Sequence, residues 1–194
     1  MKSLSILVLA TMVILCETPW GHADFREEIP FVPTPVEVVD QMLTLARVKK
    51  GDVVYDLGSG DGRIVIRAAK KYGARGVGIE SDSLLVEKAK QSARAEGVSH
   101  LVEFHDEDAL KTDLSRATVV TLYMLPWFNA AMKPNFLKML KPGTRIVAHD
   151  FGIEGWPPDK TVTLAGFETK SGGYKHQHLL FLWTMKGRET VSAR

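Results

Sequence analysis

Residues 53–62 constrain the fold of this 194-residue chain more than any other stretch. They read Val53-Val54-Tyr55-Asp56-Leu57-Gly58-Ser59-Gly60-Asp61-Gly62: an apolar run, an acid, then glycines at alternate positions. The run is β-rich and apolar on both faces, the pattern of a buried parallel strand. The glycines predict a tight turn, because Gly accepts positive φ and has no Cβ to block a ligand. Arg63 to Tyr72 then reads as a helix, with Ile64, Ala68 and Tyr72 on one face, Val65 and Ala69 beside them, and Gly73 as the stop. Strand, glycine-rich turn and helix N-terminus in succession build a nucleotide-type site at the C-terminal edge of a sheet.

Spacing narrows the nucleotide. A dinucleotide fingerprint is G-x-G-x-x-G, and this turn is one residue short of it, which disfavours a dehydrogenase. Asp56 stands two residues ahead of the first glycine, and a second strand, Gly76 to Ile79, ends in Glu80, where an acid can accept hydrogen bonds from two ribose hydroxyls. A plain structural turn would need the three glycines and both strand-end acids to coincide by accident. The combination resembles the class I S-adenosylmethionine (AdoMet) methyltransferases. That resemblance implies AdoMet as cofactor, with Asp56, Gly58, Gly60, Gly62 and Glu80 in its site. It also implies that an acid in the turn after the third strand, Asp108 by register, contacts the adenine.

The remaining signals alternate between strand and helix. Thr34 is placed to cap a helix, with Pro35 in its first turn, Glu37 completing a capping box, and Val38, Met42, Leu45 and Ala46 on its apolar face. Asp82 or Ser83 caps a further helix running to Glu96, with Leu85, Ala89 and Ala93 on one side. Leu101–His105 and Ala117–Tyr123 read as strands, the latter central. A helical stretch begins at Pro126, and Pro134 predicts its division into two short helices. Leu140-Lys141-Pro142-Gly143 turns into the strand Arg145–His149, and Thr161–Ala165 and His178–Met185 read as a final antiparallel pair around a Ser171-Gly172-Gly173 loop. The expected fold is α/β: a Rossmann-like class I methyltransferase fold with a seven-stranded, mostly parallel sheet in the order 3-2-1-4-5-7-6, helices on both faces and a C-terminal antiparallel hairpin.

Three strings, Phe31 to Pro35, Asp56 to Val65 and Val147 to Phe151, are similar to those of one methyltransferase subgroup. It comprises the protein-lysine methyltransferases of mitochondrial adenine nucleotide translocase and ATP synthase, with their bacterial relatives. The similarity covers about residues 31–184 and implies methyl transfer to a protein lysine, in a membrane-embedded protein among the possibilities. Tyr123, His149 and Asp150 fall at strand ends facing the transferred methyl and are the candidate catalytic residues, with Trp127 nearby and His149 or Asp150 able to take a proton. His176 and His178 share a strand face, but without a third ligand they read as ordinary exposed histidines, and no metal is expected. A small-molecule methyltransferase, or a module that binds AdoMet without turnover, is the alternative, since the fold serves many substrates.

Composition excludes little: 45% hydrophobic and 25% charged residues suit one ordinary globular domain, and a net charge of +2 does not imply nucleic-acid binding. Residues 1–23 stand apart from the domain at 24–194. Lys2, the apolar run Leu4–Leu15 and the small-residue end at Ala23 form a secretory-signal pattern, predicting export or a membrane tether, with a cytoplasmic chain starting further on as the alternative. Cleavage after Ala23 would remove Cys16, the single cysteine, and with it any disulfide.

Overall fold

The structure, a computed structural model, describes residues 30–167 and 176–187. The segment 1–23 and the Ser171–Gly173 loop lie outside these residues. Seven strands form one sheet: β1 (Val53–Leu57), β2 (Arg75–Glu80), β3 (Val102–Asp106), β4 (Val119–Leu122), β5 (Arg145–His149), β6 (Lys160–Phe167) and β7 (His176–Thr184). Their order is β3-β2-β1-β4-β5-β7-β6, as the alternation of signals predicts. β1 lies between β2 and β4, parallel to both, while β7 runs antiparallel to its neighbours β5 and β6. The order of pairing reverses at β1, which is where α/β sheets open a crevice for ligands.

The helices are α1 (Val36–Leu45), α2 (Arg63–Tyr72), α3 (Ser83–Ala95) and α4 (Pro126–Met139), with a short 3-10 turn at Ala109–Lys111. Strand alternation sorts the core into two layers. Val54, Val119 and Val147 pack with Val38, Met42, Val65, Ala69 and Ala89 of α1, α2 and α3 on one face. Tyr55, Val120, Ile146 and Trp183 pack with Phe128, Met132 and Phe136 of α4 on the other. The sheet is therefore covered on both sides, and β1, buried from Val54 to Leu57, has no wet face.

Four local expectations need correction. Thr34 does not cap α1: Pro35 holds the cap position without a side-chain bond. Thr34 is instead buried, its hydroxyl 3.5 Å from Nδ1 of His149 and its carbonyl accepting from Nη1 of Arg63 at 2.8 Å. Pro134 does not divide α4, which runs unbroken past it. Buried Phe128 and Met132 before the proline and Phe136 after it anchor both halves to the sheet, and this packing outweighs one lost backbone bond. The buried face of α3 is Val86, Ala89 and Ala93 rather than Leu85, which turns toward a cavity at the C-terminal edge of the sheet. His178 is buried, not exposed, because β7 pairs with β5 and turns that face inward. Among the caps, Asp82 serves α3, accepting from the backbone N–H of Leu84 at 2.8 Å, and Gly73 ends α2 in the left-handed region.

Candidate active site

Three glycines turn the chain from β1 into α2, with φ of 76° at Gly58, 53° at Gly60 and 78° at Gly62. All three lie where only glycine is unstrained. A Cβ on Gly58 would fall 2.3 Å from Sδ of Met124, and one on Gly60 would fall 2.3 Å from the Phe31 ring. The turn is pinned to β2 by the backbone N–H groups of Gly58 and Ser59, both donating to the Ile79 carbonyl at 2.9 Å.

Glu80, at the end of β2, completes the turn. Its Oε2 accepts from the Gly60 N–H at 2.8 Å, and its Oε1 accepts from the N–H groups of Ser81 and Asp82 at 2.8 and 3.1 Å. One carboxylate thus fixes the relative positions of the loops after β1 and β2.

These loops wall a cavity of about 920 Å³. Gly58 and Ser59 form part of its floor, and Pro30 to Thr34 pass along its rim. Tyr123, Met124, Trp127 and Phe128 make an apolar wall beyond the ends of β4 and the start of α4. Gly60 and Gly62 do not line it and contribute through the shape of the turn. The polar lining is one-sided: among the described residues, Asp56, Asp61, Glu80, Asp82, Glu107 and Asp108 face a single cationic side chain, Arg63. That guanidinium is already engaged with Asp61, its Nε and Nη2 donating at 2.9 and 2.7 Å.

The acids differ in their state. Asp56 is buried, and burial pushes its carboxyl up to about 7, with the charges of Glu80 and Asp61 adding to the rise and a 2.7 Å hydrogen bond from the Thr121 hydroxyl opposing it. Burial acts upward on Asp61 too, but the hydrogen bonds and charge of Arg63 hold it below the usual carboxylate range. Asp108 caps the 3-10 turn, its Oδ1 accepting from the Leu110 N–H at 2.9 Å, so one oxygen serves the loop while the side chain borders the cavity. Glu107 accepts from the Thr112 hydroxyl at 2.9 Å.

The structure brings Tyr123, His149 and Asp150 together, yet only Tyr123 lines the cavity. His149 is fully buried with its ring centroid 4.0 Å from that of Tyr123. Burial, and then the charge of Asp150, raises the Tyr123 phenol above its ordinary value, so it stays protonated at neutral pH. Asp150 holds a left-handed backbone, φ 57°, and its Oδ1 accepts from the Leu179 N–H at 2.9 Å. The sequence reading gives no individual site role to Phe31, Thr34 or Met124 and takes His178 as exposed. The proximity of His178 to His149 depends on the register that sets Leu180 opposite His149, and no local spacing signals it.

A glycine turn after β1, an acid at the end of β2 and a cavity at the switch point of a 3-2-1-4-5-7-6 sheet define a class I AdoMet-dependent methyltransferase. A family model described as the ANTKMT methyltransferase domain matches residues 56–160, and the chain belongs to that family. It is 39% identical over 155 residues to a protein-lysine N-methyltransferase of Saccharolobus islandicus, covering 79% of this chain and 93% of that one. It is 34% identical over 141 residues to a human lysine N-methyltransferase named for ATP synthase, covering 73% of this chain and 59% of the relative. Among solved structures it is similar to one described as an RNA methyltransferase from Salinibacter ruber in complex with S-adenosyl-L-homocysteine. The identity is 51% and the TM-score 0.71, over 80% of this chain and 94% of that one. The residues present fit AdoMet: its amino and sulfonium cations suit a cavity with an excess of acidic groups, and Glu80, with three of about four acceptor positions filled by backbone N–H groups, keeps one for a ribose hydroxyl.

Proposed function

We propose that this AdoMet-dependent methyltransferase acts on the side-chain amine of protein lysines. The observation that carries the reading is the charge of the cavity. Among the described residues six acidic side chains border it: Asp61 pairs with its one guanidinium, burial holds back the charge of Asp56, and Glu80, Asp82, Glu107 and Asp108 stand in excess. Such a field attracts an ammonium and repels a phosphate backbone. The names of the relatives from Saccharolobus islandicus and human point to the same acceptor.

Bound AdoMet supplies an electrophilic methyl on a sulfonium, so the protein's task is to present a neutral amine in line with it. The acidic rim collects the ammonium by charge. Passage to the wall of Tyr123, Met124, Trp127 and Phe128 strips water and disfavours the charged form, which promotes loss of its proton. The protonated Tyr123 phenol can accept an amine N–H through its oxygen and so aim the nitrogen lone pair. His149, behind it, positions the Tyr123 ring rather than touching the amine.

A second reading has a specific observation in its favour, the description of the Salinibacter ruber protein as an RNA methyltransferase. The acidic lining weighs against it. Incubation with labelled AdoMet and separate protein, RNA and metabolite extracts decides: label is expected in protein, and label confined to RNA or to metabolites overturns the proposal. We also propose that residues 1–23 export or tether the chain, on the strength of Lys2, the Leu4–Leu15 run and the small-residue end at Ala23. A membrane-embedded acceptor would suit such a location. N-terminal sequencing of the native protein should then find Asp24 first, or a retained Met1 on membranes; a soluble, unprocessed chain beginning beyond Leu15 contradicts it.

A further inference from the structure

Behind Tyr123, outside the cavity lining, three side chains from β5, its C-terminal end and β7 converge on one point. Nε2 of His149 lies 2.9 Å from Nδ1 of His178. Oδ2 of Asp150 lies 3.3 Å from the first of these nitrogens and 3.4 Å from the second. We propose that His149, Asp150 and His178 form a binding site for a first-row divalent transition ion, with Zn2+ the best match.

The distances fit an ion site as well as a hydrogen-bonded cluster. A carboxylate accepting from an imidazole N–H belongs at about 2.7–2.9 Å, and both contacts of Asp150 Oδ2 are longer. Ligand atoms at about 2.0–2.1 Å from a tetrahedral ion stand about 3.3 Å from one another. The three edges here, 2.9, 3.3 and 3.4 Å, surround that value. An ion at their centre would engage all three atoms at once.

The surroundings hold the ligands in place. Oδ1 of Asp150 is fixed by the Leu179 N–H at 2.9 Å, which aims Oδ2 at the histidines. The other nitrogen of His149, Nδ1, faces the Thr34 hydroxyl at 3.5 Å. Such outer contacts set the tautomer and orientation of metal-binding imidazoles. Two imidazoles and one carboxylate suit Zn2+ or its transition-metal neighbours, whereas Mg2+ and Ca2+ prefer sets made of oxygen alone. A bound ion would join β5 to the C-terminal hairpin and fix the His149 ring against Tyr123.

An ion at these residues is independent of the identity of the methyl acceptor. The test uses the full chain, stripped with a chelator and desalted, then titrated with Zn2+ by calorimetry and with Co2+ by visible absorption. We expect one tight equivalent per chain, a tetrahedral Co2+ spectrum and a rise in Tm with Zn2+, since only the folded chain presents the site. Asp150→Asn and His178→Ala should weaken binding by roughly 100-fold or more, while His100→Ala and His105→Ala, at exposed positions, should leave it unchanged. Failure of the unmodified protein to bind an equivalent, or binding that survives Asp150→Asn and His178→Ala, overturns the site. AdoMet titration of the same metal-free sample shows separately whether the cofactor site is intact.

Discussion

Glu80 ties two loops together and leaves room for a ligand. Three backbone N–H groups already point at it. Hydrogen bonds to a charged acceptor are worth about 1.5–3 kcal/mol each, so if Glu80 holds a ribose hydroxyl, Glu80→Ala should weaken AdoMet binding roughly ten-fold to a hundred-fold. The same change leaves the Gly60 N–H without its acceptor, so a lower Tm should accompany it, with Glu80→Gln intermediate on both counts. Calorimetric titration together with thermal unfolding checks this; Glu80→Ala binding within two-fold of the parent would show that the ribose lies elsewhere. The sequence marks Glu80 as a ribose acceptor but not its bonds to the glycine turn, which depend on how β1 and β2 pair.

Asp56 gives the site a pH dependence. Its folded-state carboxyl titrates near 7 against an ordinary 3.8, so the folded chain without ligand holds a proton that the unfolded chain gives up. The Asp56 contribution to stability is therefore full below about pH 4 and lost as pH rises through about 7. Cofactor binding should move the other way, since the cations of AdoMet favour ionised Asp56. Affinity is expected to rise as pH passes upward through about 7 and to lose that slope in Asp56→Asn. Calorimetry on both sides of that pH measures it, and an unchanged slope in the variant would assign the proton to another group.

At the scale of elements, α2 begins at a glycine that is both turned and enclosed. Gly62 has φ 78°, and a Cβ there would fall 2.6 Å from the Phe104 ring and 2.9 Å from Cβ of Ala89. Gly97 has φ 71° with nothing within 4 Å of the added carbon. Gly97→Ala should thus cost only the left-handed backbone penalty, about 1–2 kcal/mol, and Gly62→Ala clearly more. Equal losses in chemical denaturation would mean that α2, α3 and β3 meet more loosely than these distances require. In α4, Pro134→Ala supplies the N–H that a continuous helix lacks and should raise stability by about 1–2 kcal/mol, less than the full helix-interior penalty because the proline also stiffens the unfolded chain. Most element identities are legible in the sequence because apolar periodicity and glycine stops are local. The unbroken α4 is not, since its continuity rests on Phe128, Met132 and Phe136 meeting a sheet assembled from distant segments.

At the scale of the molecule, the sheet order places every cofactor candidate at one edge, and that much follows from the strand and helix sequence and the handedness of crossovers. The acceptor side is different. It forms where β4, β5 and the antiparallel β7 meet, so the contacts of Tyr123, His149 and His178 arise only after non-local pairing. Transfer from AdoMet to a lysine amine, as proposed above, leaves a product that can be mapped: protein labelled by the purified enzyme is digested and its methylated residue identified by tandem mass spectrometry. Methyl groups are expected on lysine Nζ, and lost with Glu80→Ala at limiting AdoMet. Methylation at any other residue type, or label only in RNA, would contradict the claim.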